Sequence, residues 1–221
     1  MYSSHRAELL GALEAAHAKF YESEVFGGPS LYFHIQALDA AANKDFDRFS
    51  ECSYAMLSAW GMHRMGQGGA KMTDFDTYKN SLKKVWPSVL ELQNIESTNM
   101  QPEHWKELKH SFLSIKAMRS SFSLVANSKV LAHALPNLIP PVDRQYTIRF
   151  LIRSKVLPKN IDGEWDLLKG FLEGFFYPIL VDKSFSTATK KWKTSAPRFA
   201  WNTSMLKTVD NLLVGHMRRD A

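Results

Sequence analysis

The fold is decided by residues 124–149, which read LVANSKVLAHALPNLIPPVDRQYTIR. Apolar residues recur there at the three- and four-residue spacing of a helix from about Ser128 to Leu135. Pro136 disfavours helical geometry at the residue before it. The proline-rich connection 136–141 then delivers Asp143 to the start of a second helical pattern. The stretch therefore predicts two helices joined by a proline-rich turn.

The same helical spacing extends outward from this stretch over nearly the whole chain. We predict helices over about residues 4–21, 29–42, 45–60, 73–118 with a break at Pro87 and a new start at Pro102, 128–135, 143–156, 163–182 and 202–217. No segment predicts a strand. The sequence indicates an all-α fold, a compact two-lobe bundle of about nine or ten short helices.

Length and composition favour a single folded domain over residues 1–221. The chain has 221 residues, 45% hydrophobic and 23% charged, which is enough for a sizeable core and excludes disorder as the main state. No repeat or long linker divides it. We place a split between two lobes near residue 120, where the charge balance and the serine content change.

Hydropathy and cysteine content exclude several classes of protein. No apolar run approaches the ~20 residues of a membrane-spanning helix, and the first residues lack the layout of a signal peptide, so we expect a cytoplasmic protein without a membrane partner. Cys52 is the single cysteine in the chain. An internal disulfide, a cysteine zinc site and a four-cysteine iron–sulfur cluster are therefore excluded.

The positive charge of the chain lies in its second half. The formal net charge is +6; residues 1–110 carry 11 Lys/Arg against 14 Asp/Glu, and residues 111–221 carry 17 against 8. Such an excess favours an anionic partner. The alternative is a basic surface that serves only solubility.

Two charged residues near predicted helix starts are the candidates for chemistry. Lys129 falls in the first turn of its predicted helix, where a positive charge is unfavourable unless the amine helps to hold a phosphate or acts as a nucleophile. Asp143 precedes the next helix, where an aspartate either caps the helix or serves a reaction. For Lys129 the alternative is a solvent-exposed lysine.

The order of these residues resembles the helix-hairpin-helix DNA glycosylase superfamily. The resemblance rests on Asn127-Ser128-Lys129, the apolar helix, Val142-Asp143 and a basic residue one turn later at Arg149. It implies an all-α, two-lobe fold with a helix-hairpin-helix element and a base pocket between lobes. In that family, the position of Asp143 is catalytic, and lyase-active members keep a Schiff-base lysine where Lys129 lies. The sequence departs from the family at Val125-Ala126-Asn127, where family hairpins carry glycines.

The resemblance implies a DNA N-glycosylase that acts on double-stranded DNA without a cofactor or metal. Such an enzyme flips a modified or damaged base out of the duplex and leaves an abasic site. A narrower similarity, to intracellular glycosylases that act on glucosylated hydroxymethylcytosine in phage defence, suggests one substrate. The predicted base pocket comprises Trp60, His133 and Tyr146; the predicted DNA contacts are Asn127, Ser128, Arg144, Arg149, Lys190, Lys191 and Lys193. The last three belong to a segment in which lysines alternate with aromatic residues, as suits backbone contact and base stacking.

Two other functions stay open at this point. The first is a helical module that binds nucleic acid without chemistry. The second is a di-iron protein, because Glu14/His17 and Glu107/His110 each form a Glu-x-x-His pair on one helix face. Two further inward carboxylates would be needed for that centre, and none is evident.

Overall fold

The structure is a computed structural model that describes residues 2–24, 28–63, 71–120, 123–154, 156–193 and 199–219, except for the side chains of Lys193 and Arg219. The described residues form helices joined by turns and loops, with no strand beyond one isolated bridge between Met72 and Met118. The all-α prediction is confirmed. No helix in the described ranges is long and apolar enough to cross a membrane.

The chain forms two compact units that interleave in sequence. The unit that we call terminal comprises residues 1–26, 142–156 and 167–221, and the unit that we call internal comprises residues 27–141 and 157–166. The boundaries therefore fall at residues other than the predicted split near residue 120.

The internal unit is built around one buried helix. Its helices are α3 (Gly28–Ala42), α4 (Phe46–Ala59), α5 (Phe75–Leu92), α6 (Pro102–Ser114), α7 (Leu124–Ala134) and the start of α9 (Ile161–Phe171), with a 3-10 turn at Ser97–Asn99. Helix α7 contacts α3, α4 and α6, and every residue from Ala126 to Ala134 is buried. A helix that is mostly apolar all round is expected at such a central position.

The terminal unit joins the two ends of the described chain. Its helices are α1 (Ser3–Leu10), α2 (Leu13–Ser23), α8 (Arg149–Ile152), the end of α9, α10 (Tyr177–Leu180), α11 (Lys183–Lys193) and α12 (Met205–Arg219), with π-helical turns at Arg144–Ile148 and Leu172–Phe176. Helices α2 and α12 pack closely against each other. A Cβ atom added at Gly215 would lie 2.0 Å from the Ala16 carbonyl oxygen, so only glycine fits this crossing.

Several predicted helix boundaries are wrong, each for a local reason. The predicted first helix is two helices. Helix α1 ends at Leu10, and α2 begins at Leu13 after the short break at Gly11 and Ala12. Pro87 does not break α5, whose apolar face is buried on both sides of it. Packing of that face outweighs the missing backbone hydrogen bond. Asp74 caps α5 by accepting a hydrogen bond from the Thr77 N–H, so the helix begins at Phe75 and not at the predicted residue 73.

Helix bounds also differ around the stretch that decides the fold. Helix α6 ends at Ser114, before the predicted Met118, and α7 begins at Leu124 instead of Ser128. The predicted helix after Asp143 is a π-helical turn followed by the four residues of α8, and it ends at Arg153, whose φ of 52° is left-handed.

Candidate functional site

Asp143 caps the π-helical turn of the terminal unit. Its Oδ1 accepts hydrogen bonds from the N–H groups of Gln145 at 2.7 Å and Tyr146 at 3.3 Å. Its own N–H donates to the Thr147 hydroxyl at 3.3 Å, and its carbonyl accepts from the Ile148 N–H at 2.9 Å. Asp143 as a whole residue is intermediate between buried and exposed. Capping is therefore shown, and it fixes the orientation of the carboxylate.

Tyr146, predicted to line a base pocket, lies in the same turn and contacts Arg218 of α12. The Arg218 Nε donates a hydrogen bond to the Tyr146 hydroxyl at 3.3 Å, and its guanidinium carbon lies 5.5 Å from the centre of the Tyr146 ring. Arg218 also pairs with Glu24 at 2.6 Å and donates to the Ser23 hydroxyl. Sequence analysis missed Arg218, because it lies about 70 residues after Tyr146 in a helix end with other basic residues.

The predicted DNA-contacting cations of the terminal unit lie at its surface where they are described. Arg144 and Arg149 are exposed on the segment that Asp143 begins, and Lys190 is exposed on α11. Lys191 is also exposed and forms an ion pair with Glu14 at 3.1 Å. The side chain of Lys193 lies outside the described residues.

An open groove runs along another part of the terminal unit. It has a volume of about 810 Å³ and lies between the turn that joins α1 to α2 and one face of α11, with Lys183 and Lys191 at its rim. Asp143 and Tyr146 are not among the residues that line it.

Lys129 lies inside the internal unit and not at a surface. It is 6% exposed, and its ammonium nitrogen lies 5.3 Å from the centre of the Trp60 ring. The alternative of a solvent-exposed lysine is therefore wrong. A cation over an indole face is a favourable electrostatic contact, and removal from water strengthens it.

His133 joins Lys129 and Trp60 in this cluster, as does His34, which sequence analysis missed. The His133 ring centre lies 5.4 Å from that of Trp60, and the His34 ring stacks on Trp60 at 5.7 Å. Both histidines are buried, at 1% and 3% exposure. Nothing in the spacing of α3 sets His34 apart from its neighbours, so the sequence held no signal for it.

The contacts of the two histidines define where their protons lie. The His133 Nδ1 is 2.7 Å from the Lys129 carbonyl oxygen, which can only accept, so Nδ1 carries a proton. In the neutral form of His133, Nε2 then accepts a hydrogen bond from the His34 Nδ1, which lies 2.7 Å away. In that form His34 donates to His133, and His133 donates to the backbone of α7.

Asn127 and Ser128, predicted as DNA contacts, are also buried in α7, each with 0% exposure. The Asn127 amide donates to the carbonyls of Phe112 and Ile115, both at 2.9 Å, and the Ser128 hydroxyl donates to the Val125 carbonyl. In the structure these side chains bond to backbone within the internal unit. Neither is exposed at a surface.

The N-terminus of α7 is capped by a buried glutamate side chain. The Glu164 carboxylate, with 0% exposure, accepts hydrogen bonds from the N–H groups of Ser123 and Leu124, both at 2.8 Å. A helix N-terminus favours such a negative charge. The expected phosphate seat, built from this N-terminus and Lys129, is therefore wrong, because the chain supplies the carboxylate itself.

The residues of the di-iron alternative have other contacts. Glu14 accepts hydrogen bonds from Lys191 and from the Trp192 indole, and Glu107 accepts one from the Ser88 hydroxyl. His17 stacks on Trp192 at 3.9 Å. Within the described part of the chain, no group of three or more His, Cys, Asp or Glu residues is arranged to hold a metal ion.

Comparison with known proteins gives no family for this chain. No protein-family model, curated protein or solved structure matches it. The candidate functional residues form two clusters. One joins Asp143 with Tyr146 and Arg218 in the terminal unit, and the other joins Lys129 with Trp60, His34 and His133 in the internal unit.

Proposed function

We propose that this protein is a DNA N-glycosylase in which Asp143 assists the departure of a flipped base. The observation that carries the proposal is the placement of the Asp143 carboxylate. Two backbone N–H groups fix its orientation, and exposed arginines lie at both ends of the same short segment, Arg144 and Arg149. A fixed carboxylate near guanidinium groups, which suit phosphate, matches the chemical need of the reaction.

The reaction replaces one bond at C1′ of the sugar with another. The N-glycosidic bond breaks, and its electron pair leaves with the base, which takes up a proton. An ionised Asp143 would stabilise the positive charge that develops at C1′ and accept a proton from the attacking water, whose oxygen forms the new bond. Tyr146, three residues later, supplies an aromatic ring on which an unstacked base can stack.

We propose an abasic product without strand cleavage by the protein. Lys129 is 6% exposed, and its amine nitrogen lies 5.3 Å from the centre of the Trp60 ring inside the internal unit. A nucleophile must come within bonding distance of C1′, and a buried amine is not placed to do so. Borohydride should therefore trap no covalent complex between the protein and DNA, and a trapped complex that is lost in Lys129→Ala would show that Lys129 is a nucleophile.

The test compares two aspartates with the same capping geometry. Duplexes that carry alkylated, oxidised, deaminated or glucosylated hydroxymethylated bases are incubated with the protein, and abasic sites are revealed with alkali. Asp182 caps α11 with hydrogen bonds from the N–H groups of Ser184 at 2.8 Å and Phe185 at 3.3 Å, so Asp182→Asn controls for loss of the charge of a capping aspartate. We expect Asp143→Asn to lower base release by at least about 100-fold and Asp182→Asn to leave it unchanged.

The competing proposal is a module that binds nucleic acid without chemistry. The exposed cations Arg144, Arg149 and Lys190 would support it equally well. Tight binding to duplex DNA without release of a base from any of these duplexes would favour this module. Equal base release by Asp143→Asn and the wild-type protein would remove Asp143 from the mechanism.

A further inference from the structure

We infer that Arg218 is a positioning residue for Asp143 and acts through Tyr146. The inference rests on the proposed function for its consequence in catalysis, but the geometry behind it does not. Arg218 lies in the last turn of α12, and Asp143 and Tyr146 belong to a turn of a different segment of the terminal unit.

The first step is the hold of Arg218 on Tyr146. The guanidinium covers the ring at 5.5 Å from its centre, and Nε donates to the hydroxyl at 3.3 Å. A cation–π contact and a hydrogen bond from one guanidinium group together restrict the orientation of the ring. The Tyr146 side chain is thus tied to α12.

The second step leads from Tyr146 to the carboxylate. The Tyr146 N–H is one of the two donors to Asp143 Oδ1, at 3.3 Å. The turn between these residues is a π-helical one, closed by the hydrogen bond from the Ile148 N–H to the Asp143 carbonyl. Since π-helical turns are rare and locally less favourable than α-helix, the turn depends on contacts from outside it. Arg218 supplies such a contact.

Arg218 also has contacts that do not involve Tyr146. Its Nη1 pairs with Glu24 at 2.6 Å and also donates to the Ser23 hydroxyl, both at the end of α2. Glu24 thus pairs with the guanidinium at Nη1, whereas the hydrogen bond to Tyr146 comes from Nε. Removal of Glu24 gives a matched control, because it breaks an ion pair of Arg218 and leaves the contact with Tyr146 in place.

The experiment measures the position of Asp143 directly. The protein is labelled with ¹³C at aspartate carboxyl groups, and the Asp143 resonance is assigned from its loss in Asp143→Asn. Arg218→Gln and Tyr146→Phe should both move this resonance, and Glu24→Gln should leave it within the line width. Should Arg218→Gln fail to fold, Arg218→Lys, which keeps the charge beside Glu24 but not the planar contact with Tyr146, takes its place.

Kinetics then connect the position to the reaction. We expect Arg218→Gln to lower kcat by about 10- to 100-fold with little change in KM, because a misplaced group costs rate more than binding. An unmoved Asp143 resonance in the Arg218 variants, or an equal shift in Glu24→Gln, would overturn the inference. Absence of base release by the wild-type protein would reject the proposed function alone, since the resonance is measured without DNA.

Discussion

At the residue scale, the Glu164 carboxyl group caps the start of α7 from a different segment of the chain. It is fully buried and accepts the N–H groups of Ser123 and Leu124. Both N–H groups donate to the same oxygen, Oε2, so the amide oxygen of Glu164→Gln can still accept them. The substitution nevertheless removes a carboxyl group whose ionised form the helix N-terminus favours, and it places an N–H donor where Oε1 lies. We expect a loss of about 1–3 kcal/mol in the free energy of unfolding, measured by urea denaturation.

The control for this prediction is an exposed carboxylate in a weak pair. Glu173 is exposed, and its carboxylate lies 3.8 Å from Lys169. Glu173→Gln should change stability by no more than about 0.5 kcal/mol. Equal losses in the two variants would show that burial of Glu164 contributes nothing special.

The tautomers of the buried histidines are a second prediction at this scale. Because the Lys129 carbonyl can only accept, His133 should carry its proton on Nδ1, and His34 should carry one on the Nδ1 that faces His133. Long-range ¹H–¹⁵N NMR at neutral pH distinguishes the two ring nitrogens of each residue. A proton on the Nε2 of His133 would contradict the hydrogen-bond direction given above.

At the scale of elements, the crossing of α2 and α12 tolerates no added atom. In Gly215→Ala the new Cβ would lie 2.0 Å from the Ala16 carbonyl oxygen, and backbone cannot move aside cheaply. We expect destabilisation of about 3 kcal/mol, the upper part of the usual range for overpacking. Thermal unfolding monitored by circular dichroism measures the effect.

Gly170 in α9 is the matched position for this variant. A Cβ added there would meet only the Tyr2 hydroxyl, at 3.9 Å. Gly170→Ala should therefore be neutral or stabilising by up to about 1 kcal/mol, because alanine is the better helix former. Destabilisation of both variants to the same degree would show that the close approach of α2 and α12 is not the cause.

The cap of α11 makes stability depend on pH. Hydrogen bonds from the Ser184 hydroxyl and from the Ser184 and Phe185 N–H groups lower the pKa of Asp182. A pKa that is lower in the folded state stabilises the fold above the unfolded pKa, and this contribution is lost as pH falls through the folded pKa. Between about pH 5 and pH 3, the wild type should therefore lose more stability than Asp182→Asn, which keeps an uncharged cap. Parallel curves would contradict this.

The sequence predicted elements better than it predicted the contacts between them. Helical spacing and the residues that start or stop helices gave the all-α fold and the ends of α3 and α4 nearly correctly, because those signals are local. The start of α7 at Leu124 was not predicted, because the group that caps it, the Glu164 carboxylate, lies in a later segment. The unbroken α5 did too, because packing on both sides of Pro87 has no local signature.

The candidate functional residues likewise include some that the sequence predicted and some that it did not. Trp60, Lys129 and His133 were predicted from the sequence, and the structure brings them together within the internal unit. His34 and Arg218 were missed, because each reaches its cluster from a helix distant in sequence. No alternation, spacing or composition in α3 or α12 marks either of them.

At the scale of the whole molecule, the distribution of exposed cations predicts how DNA binding responds to salt. Arg144 and Arg149 are exposed in the terminal unit, and Lys83 and Lys84 are exposed in the internal unit. If the former pair contacts phosphates, Arg144→Gln/Arg149→Gln should reduce the slope of log Kd against log salt by about 0.9 per arginine. Lys83→Gln/Lys84→Gln, with the same loss of charge, should leave the slope unchanged, and equal slopes in both double variants would assign binding to net charge alone.

The partnership of α2 with α12 has a consequence for biosynthesis. Helix α2 leaves the ribosome before the helices of the internal unit, and its main partner α12 leaves after them. Until α12 emerges, the apolar face of α2, with Leu13, Ala16 and Phe20, lacks the surface that covers it. This face therefore stays uncovered while the whole internal unit is synthesised, whereas helices α3 to α7 find their partners as they are made.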